Sequence, residues 1–352
     1  MGEFDSDSDD EIVVVGGYEL HEEIGRGTYG KVYNAKHVAT GGKFAVKRLF
    51  AGAPSHSSDD EPTILHKLAG ANYVLELKEV FTKTYRGEDA TFLVFDYMES
   101  DLESVIKATD DLPQLAPAQI KSYMHMILHG LLECHKRHVI HRDIKPNNVL
   151  LAPTGIVMLA DFGMAVHAPD PTVAMSFQVV TRAYRPPELL FGLKHYTSAV
   201  DIWSAGCVFA ELLLRRVWLD GASDIDQLSL MFKAIGTPQE QGWTAAKSLP
   251  FYLEFAPTTP TPLAAQFPTL SAAGVDLLSQ MMTLDPTQRI SAAKALAHPY
   301  FAEAPVPVDA NLLPLVTPPE RVDRKRRASS FVEDEVADAA TPRGGVKGRR
   351  LF

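Results

Sequence analysis

The chain has 352 residues, 46% of them hydrophobic, and a formal net charge of −10. That length can bury a two-lobed core, the acidic balance argues against general nucleic-acid binding by the folded body, and no apolar run approaches the roughly 20 residues that cross a bilayer. The two cysteines, Cys134 and Cys207, stand in helical apolar patterns that suit buried small hydrophobes rather than a disulfide framework or a metal site.

In chain order, the amino terminus is acidic, with DSDSDDE at 5–11, and residues 1–17 read as a disordered arm without a signal-peptide pattern. A strand-like stretch from Tyr18 to Ile24 then runs into GRGTYGKVY, where Gly25, Gly27 and Gly30 make G-x-G-x-x-G with Val32 two residues later. The same string opens dinucleotide-binding loops, but there a helix follows. Here Lys31 to Ala35 continues as a strand, which suits a hairpin flap over phosphates. The next apolar strand, FAVKRL, carries Lys47, whose ammonium could reach the α- and β-phosphates of a nucleotide. A short helical stretch follows near Thr63 to Leu68. Glu61 just before it is the best acidic partner for Lys47, and because Pro62 is tolerated only in a first helical turn, the helix should start there and be short. Strand-like alternation and turn signals occupy the first 95 residues.

The remainder reads as mostly helical. Ile120, Tyr123, Met124, Ile127, Leu128, Leu131 and Leu132 share one helix face, and an apolar helix over Ile202 to Leu214 follows Asp201. Between them lie HRDIKPNN at 141–148 and DFG at 161–163. Asp143, Lys145, Asn148 and Asp161 have the spacing of a phosphoryl-transfer centre. Asp143 would orient a hydroxyl and take its proton, Lys145 would steady the transferred group, and Asn148 and Asp161 would hold Mg²⁺, because hard cations prefer oxygen ligands. Each string is weak alone, since His141-Arg142-Asp143 could be a polar turn after a buried strand. With the glycine flap, AVK at 45–47 and PPE at 186–188 in the same order, the set is specific.

From Tyr18 to about Pro314 the chain resembles a cyclin-dependent protein kinase. FLVFDYMESDLESVIK at 92–107 is similar to the hinge of that group, while VVTRAYRPPELLFG at 179–192 and ELLLRRVWLDGASDIDQLSLMFKAIGTP at 211–238 resemble most the CDK-activating kinase of the general transcription factor complex. The resemblance implies an α+β, bilobal eukaryotic protein kinase fold over 18–301, with a small β-rich N-lobe (18–95), a hinge (96–101) and a larger, mainly helical C-lobe (102–301). For ATP it implies Ile24, Gly25, Gly27, Gly30, Val32, Ala45 and Lys47 above the nucleotide, and Asn148, Leu150 and Asp161 below. Phe95 would stand behind the adenine, the backbone of Asp96 and Met98 would bond its edge, and Asp101 would face the ribose. Thr181 would bridge Asp143 and Lys145, Glu188 would pair with Arg289, and Arg142 and Asp201 would be structural.

The activity so implied is transfer of the ATP γ-phosphate to serine or threonine before proline, on other cyclin-dependent kinases and the RNA polymerase II tail. Val180 would meet the residue after the phosphoacceptor without offering a hydrogen-bond partner, a place where proline loses nothing. A cyclin of unspecified identity and an assembly factor are the implied partners, with no direct nucleic acid and no membrane. Ser176 aligns with the activation-loop phosphosite. Arg142 is one basic group for its phosphate, but Asp60 and Val166 stand where two others are usual, so the phosphate is expected to matter less here. Asp170-Pro171 occupies a second phosphosite, Thr28 and Tyr29 resemble inhibitory phosphosites of cell-cycle members, and Ala183 replaces a common tryptophan. AGAPSHSSDD before Glu61 lacks the familiar cyclin-contacting sequence. Residues 302–352 read as a Pro-rich, then charged, largely disordered tail, in which Arg324, Lys325, Arg326 and Arg327 would direct nuclear import alongside a cytoplasmic pool. Two other readings are a cell-cycle or ciliary-type cyclin-dependent kinase, supported by GTYG and NYVLELKEVF, and a nucleotide-binding scaffold without catalysis, supported by the Glu61-Pro62 junction alone.

Overall fold

The computed structural model describes residues 13–27, 29–50, 60–85, 87–110, 112, 114–168 and 174–316. The alternating and β-branched residues of the first part form an antiparallel sheet of six strands: β1 (Val13–Val15), β2 (Tyr18–Arg26), β3 (Gly30–His37), β4 (Lys43–Leu49), β5 (Leu77–Tyr85) and β6 (Glu88–Asp96). Their order is β1-β2-β3-β4-β6-β5. Register sets the site: Val32 lies opposite Lys47, and Ala45 opposite Phe95. One face of the sheet buries Leu20, Tyr33, Ala35, Val46, Phe92 and Val94. The other receives α1 (Glu61–Lys67), whose Ile64 and Leu65 belong to the larger core.

β7 (Ser100–Asp101) leads into α2 (Leu102–Lys107) and the long α3 (Pro117–Lys136), followed by β8 (Val139–Ile140), β9 (Val149–Leu151), β10 (Val157–Leu159) and β11 (Val166–His167). α4 (Pro187–Leu190), α5 (Ala199–Leu214), α6 (Asp224–Ile235), α7 (Leu263–Gln266), α8 (Ala272–Met281), α9 (Ala292–Leu296) and α10 (Pro299–Ala302) complete the helical lobe. The stripe read on α3 is buried: Tyr123, Ile127, Leu128 and Leu131 are sealed from solvent, and each such large side chain contributes about 1.5–3 kcal/mol by leaving water. α5 is buried around nearly its whole circumference, as its lack of a polar stripe requires. Cys134 and Cys207 are buried free thiols, and burial pushes both pKa values up.

The folded body passes both expected boundaries. Val13–Val15, placed in the acidic arm by their neighbours' composition, pair with β2, and Val15 is buried against Tyr18's end of the sheet. Residues 303–316, placed in the tail for their prolines, run along the helical lobe. Lys121 Nζ donates to Glu303 O (2.9 Å), Ser122 Oγ to Val308 O (2.8 Å), Tyr123 OH to Pro314 O (3.0 Å) and Ser100 Oγ to Val316 O (2.6 Å), with Leu313 buried. Proline lacks an N–H but keeps a carbonyl, so a Pro-rich strand can be held from its acceptor side. Asp170-Pro171, Thr28 and the 324–327 basic run lie outside the described residues.

Candidate active site

β2 and β3 meet in the glycine flap, where Gly27 N donates to Gly30 O at 2.9 Å. A side chain at Gly30 would put its Cβ 2.4 Å from Arg48 O, so only glycine lets the flap lie this close to β4. Lys47 projects from β4 and is 6% exposed. Its Nζ lies 2.7 Å from each Glu61 carboxylate oxygen and 2.7 Å from Asp161 Oδ1. Burial works against the ammonium, but Glu61 and then Asp161 override it and hold its pKa above the ordinary value. At Asp161 burial alone would favour the acid; Lys47 reverses that and keeps the carboxyl below its usual range.

The Glu61-Pro62 junction does not disturb this pair. Pro62 sits in the first turn of α1, where a missing N–H leaves no bond unmade. The Asp60 carboxylate caps that turn by accepting from Thr63 N at 2.8 Å. α1 is therefore short, as expected, with Glu61 buried at its start.

On the opposite lobe, the Asp143 carboxylate has each oxygen engaged. Oδ1 accepts from Thr181 Oγ1 (3.0 Å), and Oδ2 from Lys145 Nζ (2.7 Å) and Asn148 Nδ2 (2.9 Å). Lys145 Nζ also donates to Thr181 Oγ1 at 3.3 Å, closing the bridge. Asn148 spends its amide N–H groups on Asp143, including its carbonyl at 2.8 Å, which leaves Asn148 Oδ1 to face a ligand. Asp161 Oδ2 is likewise not used by Lys47. Two hard oxygen donors, one charged, are thus available for a divalent cation. Asp161 itself has φ 60°, a left-handed backbone that turns its side chain back toward Lys47.

The wall that would face an adenine consists of Ala45, Phe95 and Leu150, with Ile24 and Val32 above, all at least partly buried. Asp96 ends β6 and Met98 follows on the connector, Asp96 exposed and Met98 packed against the core. Asp101, expected at a ribose, uses Oδ1 to cap α2 by accepting from Ser104 N at 2.7 Å. Tyr29 turns its ring onto Gly163, where an added Cβ would meet Tyr29 Cδ2 at 3.1 Å.

The remaining predicted residues are structural in their contacts. Arg289 grips Glu188 through two bonds of 2.7 and 2.9 Å, both side chains wholly buried. Asp201 accepts from His141 N (3.0 Å), Arg142 N (2.9 Å) and His135 Nε2 (2.9 Å), and against burial His135, then the His141 ring and the Arg142 N–H, hold its carboxyl below the usual range. Ser176 is exposed. Val180 is in a left-handed conformation, φ 67°, rare for a β-branched residue. Its carbonyl accepts from Arg185 Nε (3.1 Å) and Nη2 (2.9 Å).

Three contributors were not read from the sequence. His141 is sealed from solvent, accepting from Asp143 N at Nδ1 (3.3 Å) while Nε2 meets Ala160 O (3.1 Å), so the neutral Nε2–H tautomer supports the catalytic-loop backbone. Arg185 and Tyr196 are the others. A histidine directly before the Arg-Asp pair was visible as a signal; Tyr196 carried none.

A family model described as protein kinase domain matches residues 18–301. Cyclin-dependent kinase D-1 of Oryza sativa subsp. indica is 45% identical over 310 residues, covering 87% of this chain and 71% of the relative. Cyclin-dependent kinase 20 of Homo sapiens is 40% identical over 306 residues, covering 85% and 86%. Among solved structures, that of the CAK complex from Chaetomium thermophilum bound to ATP-γ-S superposes with a TM-score of 0.77 at 37% identity, covering 85% of this chain and 95% of that chain.

Proposed function

Because the chain belongs to the protein kinase family, as a serine/threonine cyclin-dependent kinase akin to the CDK-activating type, we propose that it transfers the ATP γ-phosphate to Ser/Thr-Pro sites of other cyclin-dependent kinases and of the RNA polymerase II tail. The observation that carries the chemistry is the Asp143 carboxylate, fixed by Thr181, Lys145 and Asn148, together with the Lys47–Asp161 ion pair. Asp143 aligns the incoming hydroxyl and takes its proton, and fixing both oxygens removes rotational freedom before the reaction begins. Lys47, kept charged by Glu61, binds the α- and β-phosphates, and Lys145 accompanies the transferred group. Mg²⁺ fits Asn148 Oδ1 and Asp161 Oδ2, and when bound would neutralise charge on the phosphate oxygens.

Proline specificity follows from Val180. A substrate residue after the phosphoacceptor would bury a backbone N–H beside a carbonyl already filled by Arg185. An unmet buried donor costs about 1–3 kcal/mol, and proline has none to lose. The partner is a cyclin, with an assembly factor, and the working place is the nucleus with a cytoplasmic pool.

The test is radiolabelled-phosphate transfer by the purified chain, alone and with a panel of cyclins, onto a polymerase-tail peptide and an inactive cyclin-dependent kinase, with Asp161→Asn as control. Transfer to both that vanishes in the control supports the reading. Activity confined to an unrelated Ser-Pro protein would support the cell-cycle or ciliary-type target set instead.

A further inference from the structure

Where a phosphorylated activation segment would need a cluster of basic side chains, this chain offers Arg142, while Asp60 caps α1 and Val166 pairs in β11. Arg142 is already engaged through its backbone and two of its guanidinium nitrogens. Its backbone N is held by Asp201 Oδ1 (2.9 Å), its Nε donates to Met164 O (2.6 Å), and its Nη1 donates to Tyr196 OH (3.0 Å). Tyr196 is buried, 6% exposed, and its hydroxyl donates in turn to the Ser176 carbonyl at 2.7 Å. One residue earlier, Met175 N donates to Lys194 O at 2.8 Å, and one residue later the Phe177 ring packs edge-on against Phe251, centroids 5.3 Å apart. The segment is thus fastened to the 192–196 loop immediately upstream of Val180 and Thr181.

We propose that Tyr196 is a positioning residue for catalysis: its hydroxyl relays Arg142 onto the Ser176 backbone carbonyl, holding the activation segment in place without a phosphate on the Ser176 side chain. This deepens, and rests on, the phosphotransfer reading above. A hydroxyl can accept from a guanidinium and donate to a carbonyl at the same time, and a guanidinium at one end strengthens the relay through charge-assisted bonding. The clamp grips the main chain, so it is indifferent to which side chain stands at 176. Beyond it, the chain delivers Thr181 to Asp143 and Val180 to the substrate, so loosening at Ser176 is felt as poor peptide alignment rather than poor nucleotide binding.

Four forms of the full chain decide this, assayed with whatever cyclin supports parent activity: parent, Tyr196→Phe, Ser176→Ala and the double variant. Tyr196→Phe should lower kcat/KM for a Ser-Pro peptide about tenfold with KM for ATP unchanged, while Ser176→Ala stays within about twofold of the parent. Phosphorylating Ser176 should restore much of the loss in Tyr196→Phe, because the freed Arg142 can then meet the phosphate directly, yet should change the parent little. Amide hydrogen exchange over 174–180 in the parent, with and without the Ser176 phosphate, reads the same clamp without any substitution and should be equally slow in both. Parent-like turnover by Tyr196→Phe, a collapse of Ser176→Ala, or exchange that slows only on phosphorylation would each overturn the proposal. A parent without transferase activity toward any peptide would instead sink the phosphotransfer reading beneath it.

Discussion

Arg185 donates to the carbonyl of Val180 from Nη2 at 2.9 Å and from an Nε–H shared between Val179 O (2.8 Å) and Val180 O (3.1 Å), while Val180 itself is held at φ 67°. The guanidinium thereby stabilises a backbone conformation costing about 1–2 kcal/mol and, on the proline-directed reading proposed above, withdraws the acceptor that a non-proline substrate would need. Arg185→Ala should let that carbonyl rotate outward. The ratio of kcat/KM for matched Ser-Pro and Ser-Ala peptides is expected to fall roughly tenfold, about 1.4 kcal/mol. An unchanged ratio would place proline selection elsewhere.

Glu61 makes both of its oxygen contacts to one ammonium, at 2.7 Å each. Glu61→Gln preserves the shape and deletes the charge, leaving Asp161 as the charged partner of Lys47. We expect kcat to drop about 10- to 100-fold with the α1 helix retained by circular dichroism, and Lys47→Met to reduce transfer to background.

Thr181 contributes one hydrogen bond to Asp143 Oδ1 and accepts one from Lys145. Thr181→Ala should lower kcat about tenfold and leave KM for ATP unaltered, because the nucleotide side of the site does not involve this hydroxyl. Equal effects on both parameters would contradict the assignment.

Much of this was legible in the chain because phosphoryl transfer needs particular groups at short sequence intervals. Asp143, Lys145 and Asn148 lie within one loop, and their spacing alone implied their meeting. The Glu188–Arg289 pair spans 101 positions and was reached through family likeness, not through local pattern. What stayed hidden is of a different kind. The 303–316 segment is held by hydroxyls of Ser100, Ser122 and Tyr123 from distant elements, so local composition marked it as tail. β1 was hidden by the acidic residues before it, although Val13–Val15 has the β-branched composition of a strand. The N-cap that Asp101 makes shows only when α2 is seen to begin at Leu102.

That hidden segment has a measurable consequence. Ending the chain after Ala302 removes the hydrogen bonds that Lys121, Ser122, Tyr123 and Ser100 donate to it and exposes the site of Leu313. The expected loss is roughly 3–5 kcal/mol of unfolding free energy, read by urea titration.

His141 gives the fold a pH dependence. Burial holds its imidazole below the ordinary value, with Asp201, Asp143 and Asp161 opposing but not reversing the shift. The unfolded chain therefore binds more protons below the ordinary histidine value of about 6.5, so this stabilisation is present above that pH and lost as pH falls through it. Unfolding free energy should decline between pH 7.5 and 5.5, as measured in urea, and His141→Gln should be less stable at the upper end with a shallower slope. Parallel slopes would assign the dependence to other groups.

The wholly buried pair of Glu188 and Arg289 also governs how this protein can come into being. A ribosome delivers the acid 101 residues before the base, and a lone carboxylate in that interior is strongly unfavourable. Until nearly the whole domain has emerged, the segment that receives substrate has no stable resting place. A chain that stops before Arg289 leaves Glu188 without its buried partner, so transferase activity is expected only once synthesis has passed that residue.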